Sequence, residues 1–206
     1  MIRPVNYSLE FEPNLRNFTF NGKETIEIKI SKPTKIISLN SSELKIKKCH
    51  IIWQGKTVKA TSKIDEKNEL LTIHLSQKIN DSAQLYLEFI GILNDRLLGF
   101  YKSEYKDSRG KKKYLATTQF EAADARRAFP CWDEPEAKAT FDISIITDNN
   151  LTAISNMPVI SKKKIGSKYR YKFSRTPIMS TYLIYLGVGE FEFLTSKLGK
   201  ILVRIV

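Results

Sequence analysis

The chain has 206 residues with 34 Lys and Arg against 22 Asp and Glu, a formal charge of +12, and 42% hydrophobic content. That apolar share argues against disorder and can bury the core of one large β domain or two small ones. No apolar run approaches membrane-spanning length, the start Met1-Ile2-Arg3-Pro4 has no signal core, and two distant cysteines argue against a disulfide framework, so a reducing, cytoplasmic setting is expected.

In chain order, Asn6 to Phe11 alternates, with Tyr7, Leu9 and Phe11 on one face, and Pro13-Asn14 then turns the chain. Phe18 to Phe20, the pair Asn21-Gly22 and Thr25 to Ile30 predict strand, turn and strand, because Asn-Gly is a strong hairpin signal. Ile26, Ile28 and Ile30 should point inward and Glu24, Glu27 and Lys29 mostly outward. Further runs are Lys35 to Leu39 and Leu44 to Trp53, with Leu44, Ile46, Ile51 and Trp53 as core. Val58 to Ile64 and Leu70 to Leu75 flank the turn Asp65 to Asn68, and Gln84 to Ile90 alternates again. Leu97 to Tyr105 and Lys113 to Gln119 form a long hairpin about Asp107 to Gly110.

The Ala-rich stretch Ala122 to Ala128 is the best helix candidate, limited by Pro130, and Pro135 to Lys138 adds at most one more turn. Strands resume over Thr140 to Thr147, Leu151 to Ser155, Lys168 to Ser174, Thr181 to Phe193 and Ile201 to Val206. The lysine runs Lys111 to Lys113 and Lys162 to Lys164 sit beside Gly and Ser and are expected at solvated hairpin tips. With no RNA-binding aromatic motif and no basic helix, neither nucleic acid nor membrane is an expected partner. Short turn-bounded strands without sustained helical periodicity predict an antiparallel all-β domain with sandwich-like packing.

One stretch departs from this pattern. Between Tyr114 and Phe141 lie Gln119, Glu121, Asp124, Arg126, Arg127, Asp133 and Glu134, set among Phe120, Phe129 and Trp132. Such groups are costly to bury unless paired. For Asp124, Arg126, Arg127, Asp133 and Glu134 the favoured reading is ion pairing that braces the segment Pro130 to Pro135. Gln119 and Glu121, two apart on an extended chain, project the same way with Phe120 opposite. An amide and a carboxylate on one face suit an ammonium or amide ligand, or belong to the same brace. Cys131 lies near two arginines that could activate its thiol, but a packed structural cysteine is favoured. His50 and His74 lie in separate strands, and Cys49 beside His50 should face the opposite way, so no metal site is expected.

The string Thr118-Gln119-Phe120-Glu121-Ala122 followed by Asp124-Ala125-Arg126-Arg127-Ala128-Phe129-Pro130-Cys131-Trp132-Asp133-Glu134-Pro135 resembles the signature of the amino-terminal domain of the M1 (gluzincin) zinc aminopeptidases. Pro4 to Leu9, Phe20-Asn21-Gly22 with Ile26 to Ile28, Phe89 to Asp95 with Gly99 to Ser103, Ser155 to Pro158 and Pro177 to Leu183 agree in order. The resemblance therefore covers essentially the whole chain, and the puromycin-sensitive or tricorn-interacting-factor type is its nearest flavour.

The resemblance implies that residues 1–206 form the saddle-shaped β domain of a larger enzyme, with one or two short helices after Glu121. Zinc in that family is held by an H-E-x-x-H helix and a distant Glu, and the substrate amine meets a G-A-M-E-N strand, all in the following domain. None of these motifs occurs here. This segment should then hold no catalytic residue and no zinc, be inactive alone, and continue past Val206 into its catalytic partner domain. Residue by residue, Glu121 matches the carboxylate that pairs with the α-ammonium of peptide substrates. Gln119 matches the amide lining the pocket for the first side chain. Relatives also imply a cis peptide after Glu121. The alternative is a non-catalytic β scaffold or adaptor related to these peptidases.

Overall fold

The computed structural model describes residues 1–199 and 201–205. The strands are β1 (Ile2–Asn14), β2 (Thr19–Asn40), β3 (Lys45–Trp53), β4 (Lys56–Val58), β5 (Ala60–Asp65), β6 (Leu70–Ile92), β7 (Gly99–Lys106), β8 (Lys112–Gln119), β9 (Thr140–Asp148), β10 (Thr152–Ser155), β11 (Val159–Ile165), β12 (Lys168–Phe173), β13 (Leu186–Gly189), β14 (Leu194–Leu198) and β15 (Ile201–Ile205). Helical structure among the described residues is limited to two 3₁₀ turns, Ala125–Arg127 and Thr181–Leu183. None is long and apolar enough to cross a membrane.

The protein is all-β. A nine-stranded sheet runs β11-β12-β9-β1-β2-β6-β3-β4, with β5 joined to β6. A four-stranded sheet runs β10-β13-β8-β7, and β14 pairs with β15. The named pairs are antiparallel except β1 with β9. Alternation decides which face is buried. Tyr7, Leu9 and Phe11 of β1 meet Ile26 and Ile28 of β2, Leu85, Leu87 and Phe89 of β6, and Phe141, Ile143 and Ile145 of β9, all at most 2% exposed. Phe100 of β7 joins the two larger sheets, its ring centroid 5.1 Å from Phe20 and 6.0 Å edge-on from Phe11. Each large apolar side chain so buried contributes about 1.5–3 kcal/mol before the cost of ordering the chain.

The expected hairpin at Asn21-Gly22 is absent: both residues lie inside β2, opposite Ile90 and Phe89. The chain instead reverses at residues 15–18, where Phe18 takes a φ of 56°. Gly22 is needed for space, since a Cβ there would sit 2.1 Å from the Phe89 ring. The pair repeats in reverse, with Phe20 opposite Gly91 and 2.1 Å from any Cβ placed on it. The runs at Lys35–Leu39 and Gln84–Ile90 are continuations of β2 and β6, whose shared ladder shifts register around Thr34.

Glu24 is not outward. It shares the parity of Ile26 and Ile28, faces the core at 1% exposure, and sits between Leu9 and Leu87 across the ladders. Lys162 to Lys164 do not form a hairpin tip but lie in β11, an edge strand. Charge there blocks edge-to-edge pairing, and Lys162 Nζ rests over the Tyr169 and Tyr171 rings at 4.6 and 4.9 Å.

The expected strand Thr181–Phe193 is reduced to β13. Thr181 turns away to give its hydroxyl to Asp133 Oδ1 at 2.8 Å, and Ser180 gives its own to the Pro135 carbonyl at 2.6 Å. Side-chain bonds of this kind compete with ladder pairing. The last expected strand is present as β15, and Val206 lies outside the described residues.

Candidate functional site

The candidate site lies where β8 ends. Asp107 shapes the hairpin that leads there: its Oδ1 accepts from the backbone N–H of Arg109 at 2.9 Å and of Lys111 at 3.0 Å. That turn sets the register in which Gln119 lies opposite Gly99. Gln119 and Glu121 are both exposed, while Phe120 between them is 2% exposed and packs edge-on against Phe129 at 6.2 Å. The Glu121–Ala122 peptide bond is cis, as the resemblance implies. Neither side chain lines the cavities beside the β7–β8 tip or beside His50 and His74.

Helix formation over Ala122–Ala128 stops after one 3₁₀ turn because Arg126 spends its backbone outward. Its N–H donates to Asp133 Oδ2 at 3.3 Å, and its carbonyl accepts from the Ser42 N–H at 3.0 Å. Pro135–Lys138 makes a turn without helix. The expected brace is present: Arg126 Nε donates to Asp133 Oδ2 at 3.0 Å, and Arg127 Nε donates to Asp124 Oδ1 at 2.8 Å. Glu134 is exposed and takes no part in the ion pairs of the described residues.

Three members of the brace come from elsewhere in the chain. Glu69, in the β5–β6 turn, accepts from Ser42 Oγ at 2.8 Å, from Arg127 Nη2 at 3.0 Å and from Arg126 Nη1 at 3.2 Å. Glu43 stands 3.0 Å from Arg127 Nη1 and also pairs with Arg96. Burial opposes the charge on Glu69, but the Ser42 hydroxyl and the two guanidiniums outweigh it and hold its carboxyl below the usual range. The main chain adds a tie, since Asn40 and Cys131 exchange backbone hydrogen bonds at 2.8 and 3.0 Å. Sequence spacing could not reveal Glu43 or Glu69; the only local signal was a polar turn at Asp65 to Asn68.

Cys131 is fully buried, and its thiol is pushed well above its ordinary value, first by burial and then by the Asp133 and Glu24 carboxyls; Arg126 opposes this weakly. It is a packing residue. The His50 ring lies tilted against Tyr86 with centroids 4.7 Å apart, and its side of β3 shares one surface cavity with Cys49 and His74, closer company than the sequence implied. Even so, no group of three or more His, Cys, Asp or Glu side chains among the described residues could hold a metal ion. The residues present do not fit a zinc site.

A family model described as the Peptidase M1 N-terminal domain matches residues 3–183. The chain is 40% identical over 199 residues to the puromycin-sensitive aminopeptidase of Caenorhabditis elegans, covering 94% of this chain and 21% of that protein. It is 38% identical to aminopeptidase 2 of Candida albicans, covering 99% of this chain and 22% of that one. It is also 38% identical to aminopeptidase M1 of Arabidopsis thaliana, covering 92% of this chain and 22% of that one. The chain thus spans roughly a fifth of the length of these curated relatives. With the family's signature string, an all-β fold and a family match running nearly its whole length, the chain belongs to the M1 peptidases, as their N-terminal domain.

Proposed function

We propose that this chain is the substrate-recognising N-terminal domain of a zinc-dependent aminopeptidase that removes amino-terminal residues from peptides. Glu121 binds the substrate's α-ammonium, and Gln119 forms one wall of the pocket for the first side chain. The observation that carries the reading is the pair itself. Both side chains are exposed at the end of a strand whose intervening Phe120 is buried, in a chain matched nearly throughout by M1 aminopeptidases.

The chemistry follows from the residue types. A fixed carboxylate beside the cleft favours a free amino terminus and leaves a blocked one without its charge partner. A charge-assisted contact of that kind is worth roughly 1.5–3 kcal/mol. The zinc and the general base of the full-length enzyme would sit on residues outside this chain, so the domain alone has no peptidase activity. Two unpaired cysteines accord with a cytoplasmic, reducing setting.

The test uses the full-length protein and a panel of aminoacyl anilides. Glu121→Ala should lower kcat/KM by a similar factor for every free-amine substrate. Gln119→Ala should instead reorder preference among first side chains. If Glu121→Ala leaves kcat/KM unchanged across the panel, the assigned role is wrong.

A further inference from the structure

We propose that Glu69 is a positioning residue for Glu121, acting through Arg127 and Asp124; this rests on the reading of Glu121 given above. Among the described residues Glu121 has no hydrogen-bond or ion-pair partner, so its place is set by what anchors the backbone on either side. Before it, Phe120 is sunk against Phe129. After it, the Asp124 N–H donates to the Phe120 carbonyl at 2.9 Å and closes a tight turn around Glu121. The far end of that turn hangs on the Asp124 side chain, whose Oδ1 is held by Arg127 Nε at 2.8 Å.

Arg127 is aimed by a set of acceptors that includes Glu43, Ser42 and Glu69, and Glu69 is the one that binds both Arg127 and Arg126. One Glu69 carboxylate takes both Arg127 and Arg126, and its Oε1 also takes the Ser42 hydroxyl that accepts from Arg127 at 3.1 Å. Glu69 is itself pinned, with a φ of 51° and a carbonyl that accepts from the Ser41 N–H at 2.9 Å. The stem of Arg127 also meets β7: a Cβ added to Gly99 would lie 2.9 Å from Arg127 Cβ, and Gly99 pairs with Gln119. The clamp therefore reaches the strand partner of Gln119 and the turn that carries Glu121. Asp133 anchors Arg126 on the other branch, toward Thr181, away from the turn that carries Glu121.

Removing the charge of Glu69 leaves Arg127 its Asp124 and Glu43 partners but loosens its aim. The consequence falls on substrate binding rather than on turnover. In the full-length zinc-loaded enzyme, Glu69→Gln should raise KM for a leucyl anilide about tenfold with kcat within about twofold. In a Glu121→Ala background the same substitution should change kcat/KM by less than about twofold, because nothing remains to be positioned. Glu69→Asp, which keeps the charge, should recover part of the KM; it also serves as the informative variant if Glu69→Gln fails to fold. Equal losses in both backgrounds, or no rise in KM with either Glu69 variant, overturn the proposal. If Glu121→Ala alone has no effect, the failure lies one level down, in the role of Glu121, and this inference falls with it.

Discussion

Replacing Glu24 by Met should stabilise the chain, and by more at high pH than at low pH. Glu24 is 1% exposed, both its carboxyl oxygens lack a hydrogen-bond partner among the described residues, and its cross-strand neighbours are Leu9 and Leu87. Burial raises its pKa well above the ordinary value of 4.5. An unpaired buried polar group costs about 1–3 kcal/mol even when neutral. A second contribution comes from the proton. The folded state keeps it where the unfolded chain releases it, so stability is fully present below the unfolded value and falls by about 1.4 kcal/mol per pH unit until the folded value is reached. Met has a similar unbranched shape and no proton to lose. Urea unfolding of wild type and Glu24→Met, run at about pH 4, 5.5 and 7, should show an advantage of about 1–3 kcal/mol at the lowest pH that widens as pH rises. Other titrating groups largely cancel in the difference. A Met variant that is less stable than wild type at every pH, or a gap that does not widen with pH, refutes the assignment of a neutral, unpaired core acid.

Gly22→Ala should cost about 1–3 kcal/mol or more by overpacking, since its Cβ would lie 2.1 Å from the Phe89 ring. Adding Phe89→Leu should recover part of that, read as a return of the urea midpoint at unchanged slope. Asp133→Ala should lower stability by about 3–5 kcal/mol, because its side chain is 1% exposed and carries Arg126 and Thr181; a thermal melt measures it. Burial pushes the Cys49 thiol up to about 11 and the Cys131 thiol well above its ordinary value. A disulfide reagent at neutral pH should therefore label buried Cys131 only at the rate the chain unfolds and half-buried Cys49 more slowly than a free thiol, and rapid labelling of both in native protein would contradict this.

The strands were legible wherever one face is buried, because Tyr7, Leu9 and Phe11, or Ile26, Ile28 and Ile30, repeat with period two. The Asn21-Gly22 turn misled because glycine has two uses, and here room for the Phe89 ring outweighs turn chemistry. Glu24 misled because its charge spoke for the surface while its parity spoke for the core, and parity prevailed. Thr181 left its expected strand for a bond to Asp133, a partner no local pattern announces. In the brace, Arg127 with Asp124 was readable at three residues' separation, whereas Glu69 and Glu43 arrive through sheet topology and lay beyond local reading. The signature string, by contrast, marked the family directly.

The central claim is that Glu121 reads a free amino terminus. It is tested most directly by comparing a leucyl anilide with its des-amino analogue in the full-length enzyme, with and without Glu121→Ala, by kcat/KM or by binding where the analogue is not cleaved. Wild type should prefer the amine, and the variant should lose about ten- to a hundredfold of that preference, the equivalent of one charge-assisted contact. A variant that loses activity but keeps the full preference for the amine would contradict the account.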